Sequence, residues 1–186
     1  MANKTVILGV TGGIAAYKSC EIVSRLRKLG YSVRVIMTQA ATEFVTPLTF
    51  ETLSNYRVIT DMFDKGRGYD VEHISYAKLA DVFLVAPATA NFIAKLASGV
   101  ADDMLTSTIL ATTAPIVVCP AMNTKMYENA QTAANIDALK KRGVIFIEPD
   151  SGMLACGDVG KGRMSEPKDI VEFVDGLLTP KPDFRG

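Results

Sequence analysis

One stretch of this chain concentrates groups that can do chemistry. GMLACGDVGKGRM, residues 152–164, sets Cys156 among Gly152, Gly157, Gly160 and Gly162, with the basic pair Lys161 and Arg163 at its end. Such a stretch can cradle a phosphate, present a reactive thiol, or simply turn the chain. A phosphate-binding P-loop ends in GK[ST] between a strand and a helix, and GDVGKGRM has neither the ending nor that surrounding order. That weakens the phosphate-cradle reading, and glycines in such a run also suit the hinges of a mobile flap. Cys156 is the thiol that such a loop would present. His73, the single histidine, lies in DVEHISYAKLAD and has the chemistry of a general base, although a surface or helix-capping histidine has the same sequence appearance.

Four further short stretches carry small or amide side chains. GVTGGIAAYK (9–18) is a glycine turn leading into a helix, a place where free N–H groups can hold an anion. Its glycines, Gly9, Gly12 and Gly13, do not follow the G-x-G-x-x-G spacing of dinucleotide binders, and a tight turn without a ligand needs glycine too. Thr38 stands where a dinucleotide-binding domain carries an acidic residue for the ribose, and a hydroxyl there suits the phosphate of a mononucleotide. PATANFIAKLASG (87–99) offers Thr89 and Asn91, and PAMNTKMY (120–127) offers Asn123; each taken singly is an ordinary helix cap. Their convergence points to a binding crevice, because none of the four stretches places a bulky apolar residue that would close it.

These stretches need a scaffold that brings them together. Residues 4–10, 31–37, 81–87, 114–120 and 143–149 are short, β-branched and nearly continuously apolar, the pattern of strands buried on both faces. Helical patterns at 14–29, 102–112 and 125–141 lie between them, the first ending at Gly30, a C-capping residue. Alternating strands and helices imply an α/β, doubly wound, mostly parallel sheet, in which ligands bind beyond the carboxyl ends of the strands. The length suits one domain, expected over residues 1–178, with a Pro-rich linker or tail at 179–186.

Composition narrows the functional classes. Lys plus Arg and Asp plus Glu both number 20, and no basic stripe is present, so the electrostatic footprint of a nucleic-acid partner is missing. The apolar runs are short for a membrane span and the N-terminus has no signal-peptide pattern, which leads to the expectation of a soluble, cytoplasmic protein. Three cysteines without a CxxC pair and one histidine leave no expected metal site and no disulfide framework. Cys20 and Cys119 fall in a helix and a buried strand, where cysteine behaves as a small hydrophobe.

Taken in order, GVTGGIAAYK, His73, PATANFIAKLASG, PAMNTKMY and LACGDVGKGRM resemble the homo-oligomeric flavin-containing cysteine decarboxylases, a family that includes the phosphopantothenoylcysteine decarboxylases of coenzyme A biosynthesis. The resemblance runs nearly the whole length, and PxMNxxM and ACGDxGxGxM are its specific motifs. It implies a flavodoxin-like Rossmann fold with FMN at a subunit interface, in trimers or a dodecamer of trimers. It further implies FMN contacts from Gly12, Gly13, Ile14, Thr38, Thr89, Ala90, Asn91, Phe92 and Ala121. By the same resemblance Asn123 holds the substrate carboxylate, Met153, Leu154 and Ala155 line the lid, His73 is the base and Cys156 the proton donor. The implied reaction is decarboxylation of 4′-phospho-N-pantothenoyl-L-cysteine to 4′-phosphopantetheine. A thioaldehyde forms first because the carboxylate has no electron sink; loss of CO2 gives an enethiolate, which is then protonated and reduced. Relatives that make peptidyl enethiols stop before the reduction and do not need Cys156, and other relatives are non-catalytic regulatory subunits. Tyr127 replaces the tryptophan that often ends the family's PxMNxxMW motif, a change expected to alter packing rather than chemistry. The tail LLTPKPDFRG resembles the linker to a phosphopantothenate–cysteine ligase in bifunctional bacterial enzymes.

Overall fold

A computed structural model describes residues 3–63 and 72–179. Five parallel strands, β1 (Thr5–Val10), β2 (Ser32–Met37), β3 (Val82–Ala88), β4 (Ile116–Pro120) and β5 (Ile145–Phe146), form one sheet in the order β2-β1-β3-β4-β5. That order belongs to the flavodoxin-like doubly wound sheet, with a topological switch between β1 and β3. The strand residues are apolar almost without interruption because both sheet faces are covered. Val6, Leu8 and Val10 enter one core, and Ile7, between Val6 and Leu8, enters the other.

The first core lies under α1 (Ala16–Lys28), α2 (Pro47–Ser54) and α8 (Pro167–Leu178); Ile22, Val23 and Leu26 of α1 meet Ile170, Val171 and Val174 of α8 there. The second lies under α4 (Ala90–Ser98), α5 (Met104–Ala111) and α7 (Ala130–Lys141), through Phe92, Ile93, Leu105, Ile109, Ile136 and Leu139. Each such buried aliphatic side chain contributes roughly 1.5–3 kcal/mol relative to exposure. Helix α3 (Glu72–Leu79) packs against α5, and a 3-10 turn, Ala40–Glu43, follows β2. No helix among the described residues is long and apolar enough to cross a membrane.

Two expected elements differ. The helix expected over 125–141 is divided into α6 (Thr124–Glu128) and α7, because Asn129 adopts an extended conformation and its side chain caps the second helix by accepting from the Gln131 N–H at 2.9 Å. The strand expected over 143–149 pairs only at Ile145–Phe146, and Glu148 beyond it turns to three polar partners.

The GMLACGDVGKGRM stretch is an antiparallel hairpin of β6 (Asp150–Met153) and β7 (Val159–Arg163). Its glycines are not primarily hinges. Gly157 has φ +87° at the turn, but Gly152, Gly160 and Gly162 are within the strands. A Cβ on Gly162 would lie 2.2 Å from the carbonyl oxygen of Met122, and Met122 N–H donates to the Gly162 carbonyl at 2.9 Å. Backbone has to touch backbone at that crossing, and only glycine permits it. The last described helix ends at Leu178; the tail residues 180–186 lie outside the described residues.

Candidate active site

Buried Thr11 holds together the ends of β1 and β3. Its hydroxyl donates to the Pro87 carbonyl at 2.6 Å and accepts from the Thr89 N–H at 3.0 Å. The glycine turn that follows leads into α1, which has no side-chain cap at its start, so part of its N-terminal N–H dipole is left for an anion. Gly12 is pressed against the loop after β2: a Cβ there would lie 2.4 Å from the Ala40 Cβ. Thr89 caps α4, its hydroxyl accepting from the Phe92 N–H at 3.2 Å.

These strand ends and the hairpin enclose a cleft of about 600 Å³. Its floor is formed by Gly12, Gly13, Ile14, Thr89, Ala90 and Ala121, all small except Ile14, and its far wall by Asn123, Met153, Leu154, Ala155 and Cys156. Eleven residues singled out by sequence thus share one cavity. Thr38, Asn91, Phe92 and His73 are not among its lining residues. The Thr38 hydroxyl accepts from the Ala41 N–H at 3.2 Å, and the Phe92 side chain is buried in the second core. Asn91 is exposed on the first turn of α4, and His73 is half-buried near the start of α3.

Asn123 does two things with one amide. Its Oδ1 accepts the Lys125 N–H at 2.8 Å and caps α6, which leaves Nδ2 facing the hairpin. Nδ2 is 2.9 Å from Asp158 Oδ2 and 3.4 Å from Cys156 Sγ, and the thiol itself lies 3.6 Å from the same carboxylate oxygen. The other thiols are ordinary core groups. Cys119 is wholly buried and Cys20 partly so, and burial pushes both thiols up from their usual range.

Charge at the cleft comes from residues to which the sequence reading assigned no role. Lys18, on the first turn of α1, and Arg163, on β7, both line it, and both bind Glu166 Oε1, at 3.2 and 2.9 Å. Lys18 is the principal cause holding the Glu166 carboxyl below its ordinary range. Behind the hairpin, Glu148 accepts from Lys140 at 2.7 Å, from the Tyr127 hydroxyl at 2.7 Å and from Lys161 at 2.9 Å. Led by Lys140, these donors hold its carboxyl at about 2. Burial and that same carboxylate push the Tyr127 phenol up. Tyr127 therefore contributes a hydrogen bond as well as packing. Asp158 was visible in the motif only as a letter and Arg163 only as half of a basic pair; their contacts depend on where the hairpin folds back.

The fold and the cleft at its switch point define a mononucleotide-binding α/β protein. Residues 1–179 match the flavoprotein family model, and the chain belongs to that family. It is 51% identical over 173 residues to the coenzyme A biosynthesis bifunctional protein CoaBC of Bacillus subtilis, covering 93% of this chain and 43% of that protein. The corresponding protein of Haemophilus influenzae is 46% identical, covering 99% of this chain and 46% of that protein. The chain thus spans somewhat under half the length of these curated relatives. Among solved structures, a PPC decarboxylase mutant complexed with pantothenoylaminoethenethiol superimposes with a TM-score of 0.84 at 31% identity, covering 95% of this chain and 98% of that one. The FMN-dependent cysteine decarboxylase SpaF gives a TM-score of 0.83 at 30% identity, covering 96% and 99%.

Proposed function

We propose that this chain catalyses the FMN-dependent decarboxylation of 4′-phospho-N-pantothenoyl-L-cysteine to 4′-phosphopantetheine, a carboxy-lyase step of coenzyme A biosynthesis. The observation that carries the proposal is the meeting of the Asn123 amide with the Cys156 thiol at the wall of the cleft, opposite a floor of small residues. The likeness to CoaBC proteins and to a PPC decarboxylase structure supports the same reading.

A flavin mononucleotide fits the residues present. The volume is that of a small-molecule site, the floor is small enough for a flat ring system, and the uncapped start of α1 offers N–H groups to a phosphate. Gly12, Gly13, Ile14, Thr89, Ala90 and Ala121 would hold it from the cleft floor, with Thr38, Asn91 and Phe92 proposed to complete the set from the neighbouring loops. When bound, the flavin supplies two-electron oxidation of the cysteinyl CH2–SH and the later return of those electrons.

The chain's own residues position substrate and protons. Asn123 donates its amide N–H to the substrate carboxylate, and Met153, Leu154 and Ala155 close over the thiol end and exclude water. His73 removes a proton during the oxidation. CO2 departs with its bonding pair left in the conjugated carbon–sulfur unit, and Cys156 delivers its S–H proton to the resulting carbanionic carbon: one S–H bond breaks and one C–H bond forms. His73 lies outside the cleft lining of its own chain, and assembly as a homotrimer or a dodecamer of trimers, with the cofactor at a subunit interface, is the proposed way it reaches substrate. The exposed apolar side chains of Ile14, Tyr17 and Met126 at the cleft suit such coverage.

The chain is further proposed to be the N-terminal half of a cytoplasmic bifunctional enzyme, with residues 1–178 as the decarboxylase domain and 179–186 leading to a fused ligase domain. Purified protein should be yellow and release FMN on denaturation; a colourless protein that FMN does not reconstitute refutes the reading. Cys156→Ser should still release CO2 but accumulate the oxidised enethiol, and normal 4′-phosphopantetheine from that variant would remove Cys156 from the mechanism. Turnover of phosphopantothenoylcysteine against a cysteine-ended peptide separates this reading from a peptide cysteine decarboxylase.

A further inference from the structure

The proton-donor role of Cys156 leaves one charged neighbour without an assignment. Asp158 is two residues further along the hairpin turn and does not line the cleft, yet its Oδ2 is approached by both proposed reaction groups, Asn123 Nδ2 at 2.9 Å and Cys156 Sγ at 3.6 Å. The turn is shaped to bring it there. Leu154 N–H donates to the Asp158 carbonyl at 2.7 Å and Gly157 N–H to the Leu154 carbonyl at 2.9 Å, closing the loop around Cys156, while Gly157 takes the positive φ that reverses the chain.

A carboxylate at this point has two physical consequences. An amide can be turned over in its plane, which exchanges donor for acceptor; here the Lys125 N–H fixes the oxygen end of Asn123 and Asp158 fixes the nitrogen end. Asn123 is thereby held with its amide nitrogen on the hairpin side, beside Cys156 where that residue lines the cleft. The thiol donates its only hydrogen to the carboxylate, which fixes the direction of the S–H bond.

Resting on the decarboxylase reading, we propose that Asp158 is a positioning residue of this site: it holds the Cys156 S–H in one direction and fixes the donor end of the Asn123 amide, without itself touching substrate.

The test uses the flavin-loaded protein with Asp158→Asn, which keeps the shape and an acceptor oxygen but loses the charge, and Asp158→Glu, which keeps the charge. The first readout is the rate at which iodoacetamide alkylates Cys156 at neutral pH, followed by mass mapping of the Cys156 peptide and scaled to Cys20 in the same sample. Loss of a unit charge about 4 Å away at an exposed site should speed Cys156 alkylation roughly fivefold in the Asn variant, with the Glu variant near wild type. The second readout is product partition: the Asn variant should release more CO2 than it forms reduced thiol, the remainder appearing as oxidised enethiol, and the Glu variant should restore the balance. Unchanged alkylation and unchanged partition in the Asn variant overturn the proposal, as does an Asn variant altered only in KM. If wild-type protein releases no CO2 at all, the decarboxylase reading fails instead, and the alkylation result still decides whether Asp158 controls the thiol.

Discussion

Replacing Glu148 by Gln tests how the hairpin is held to the body of the protein. Glu148 gathers Lys140 from α7, the Tyr127 hydroxyl from α6 and Lys161 from β7, so one carboxylate joins the hairpin to the helix that Asn123 caps. Its folded-state value of about 2 lies below the ordinary value of 4.5, and for a group removed from water that difference would correspond to about 3 kcal/mol. Glu148 is 44% exposed, and solvent screening reduces the net contribution to about 1 kcal/mol. Because the carboxyl is more acidic in the folded state, the stabilisation is complete above the unfolded value, near pH 5 and higher. It is lost as pH falls from there through about 2. Glu148→Gln should therefore lower the urea-unfolding free energy by about 1 kcal/mol at pH 7, and the gap to wild type should narrow at pH 4 and again at pH 3. The assay is urea unfolding followed by far-UV circular dichroism at these pH values. A gap that stays constant or widens toward acid would refute the electrostatic account and leave packing as the cause.

Two glycine substitutions test the other contacts that shape the site. Gly12→Ala puts a methyl 2.4 Å from the Ala40 Cβ; we expect a loss of about 1–3 kcal/mol in stability and a larger loss in FMN retention, measured by equilibrium dialysis against free FMN. Gly162→Ala collides with the Met122 carbonyl at 2.2 Å and should cost about 3 kcal/mol while displacing the Met122–Asn123 backbone. A fall in CO2 release with flavin content intact is the expected result, and wild-type thermal stability would refute the crossing as described.

Much of the scaffold was legible because the physics behind it is local. A strand covered on both faces must be apolar nearly throughout, so β1 to β4 stand out in the chain, and the loops after β1, β3 and β4 carry the small residues that line the cleft. Asn123 illustrates both the reach and the limit of such reading. As a helix cap and as a site amide it has the same letter, and the structure uses both ends of the side chain, Oδ1 for the cap and Nδ2 toward Cys156. The division of the 125–141 helix was harder to see because Asn129 can sit within a helix as well as cap one, and only the paths of α6 and α7 select the cap. Glycines in the hairpin suggest hinges of a flap from sequence, whereas Gly160 and Gly162 are there for lack of space beside Thr124 and Met122.

The amino-acid sequence alone determined the α/β alternation, the order of the strand-end loops and the inventory of reactive groups, since hydrophobic periodicity and turn chemistry act over a few residues. The tertiary structure alone decided that Thr11 ties the first and third strand ends, that Lys18 and Arg163 share Glu166, and that Asp158 reaches both Asn123 and Cys156. Those partners are separated by up to 148 residues along the chain. Hydrogen bonds and ion pairs form between groups brought within about 3 Å of each other, and for the distant partners that proximity is created by strand pairing, helix packing and the folding back of the hairpin, which no local pattern records.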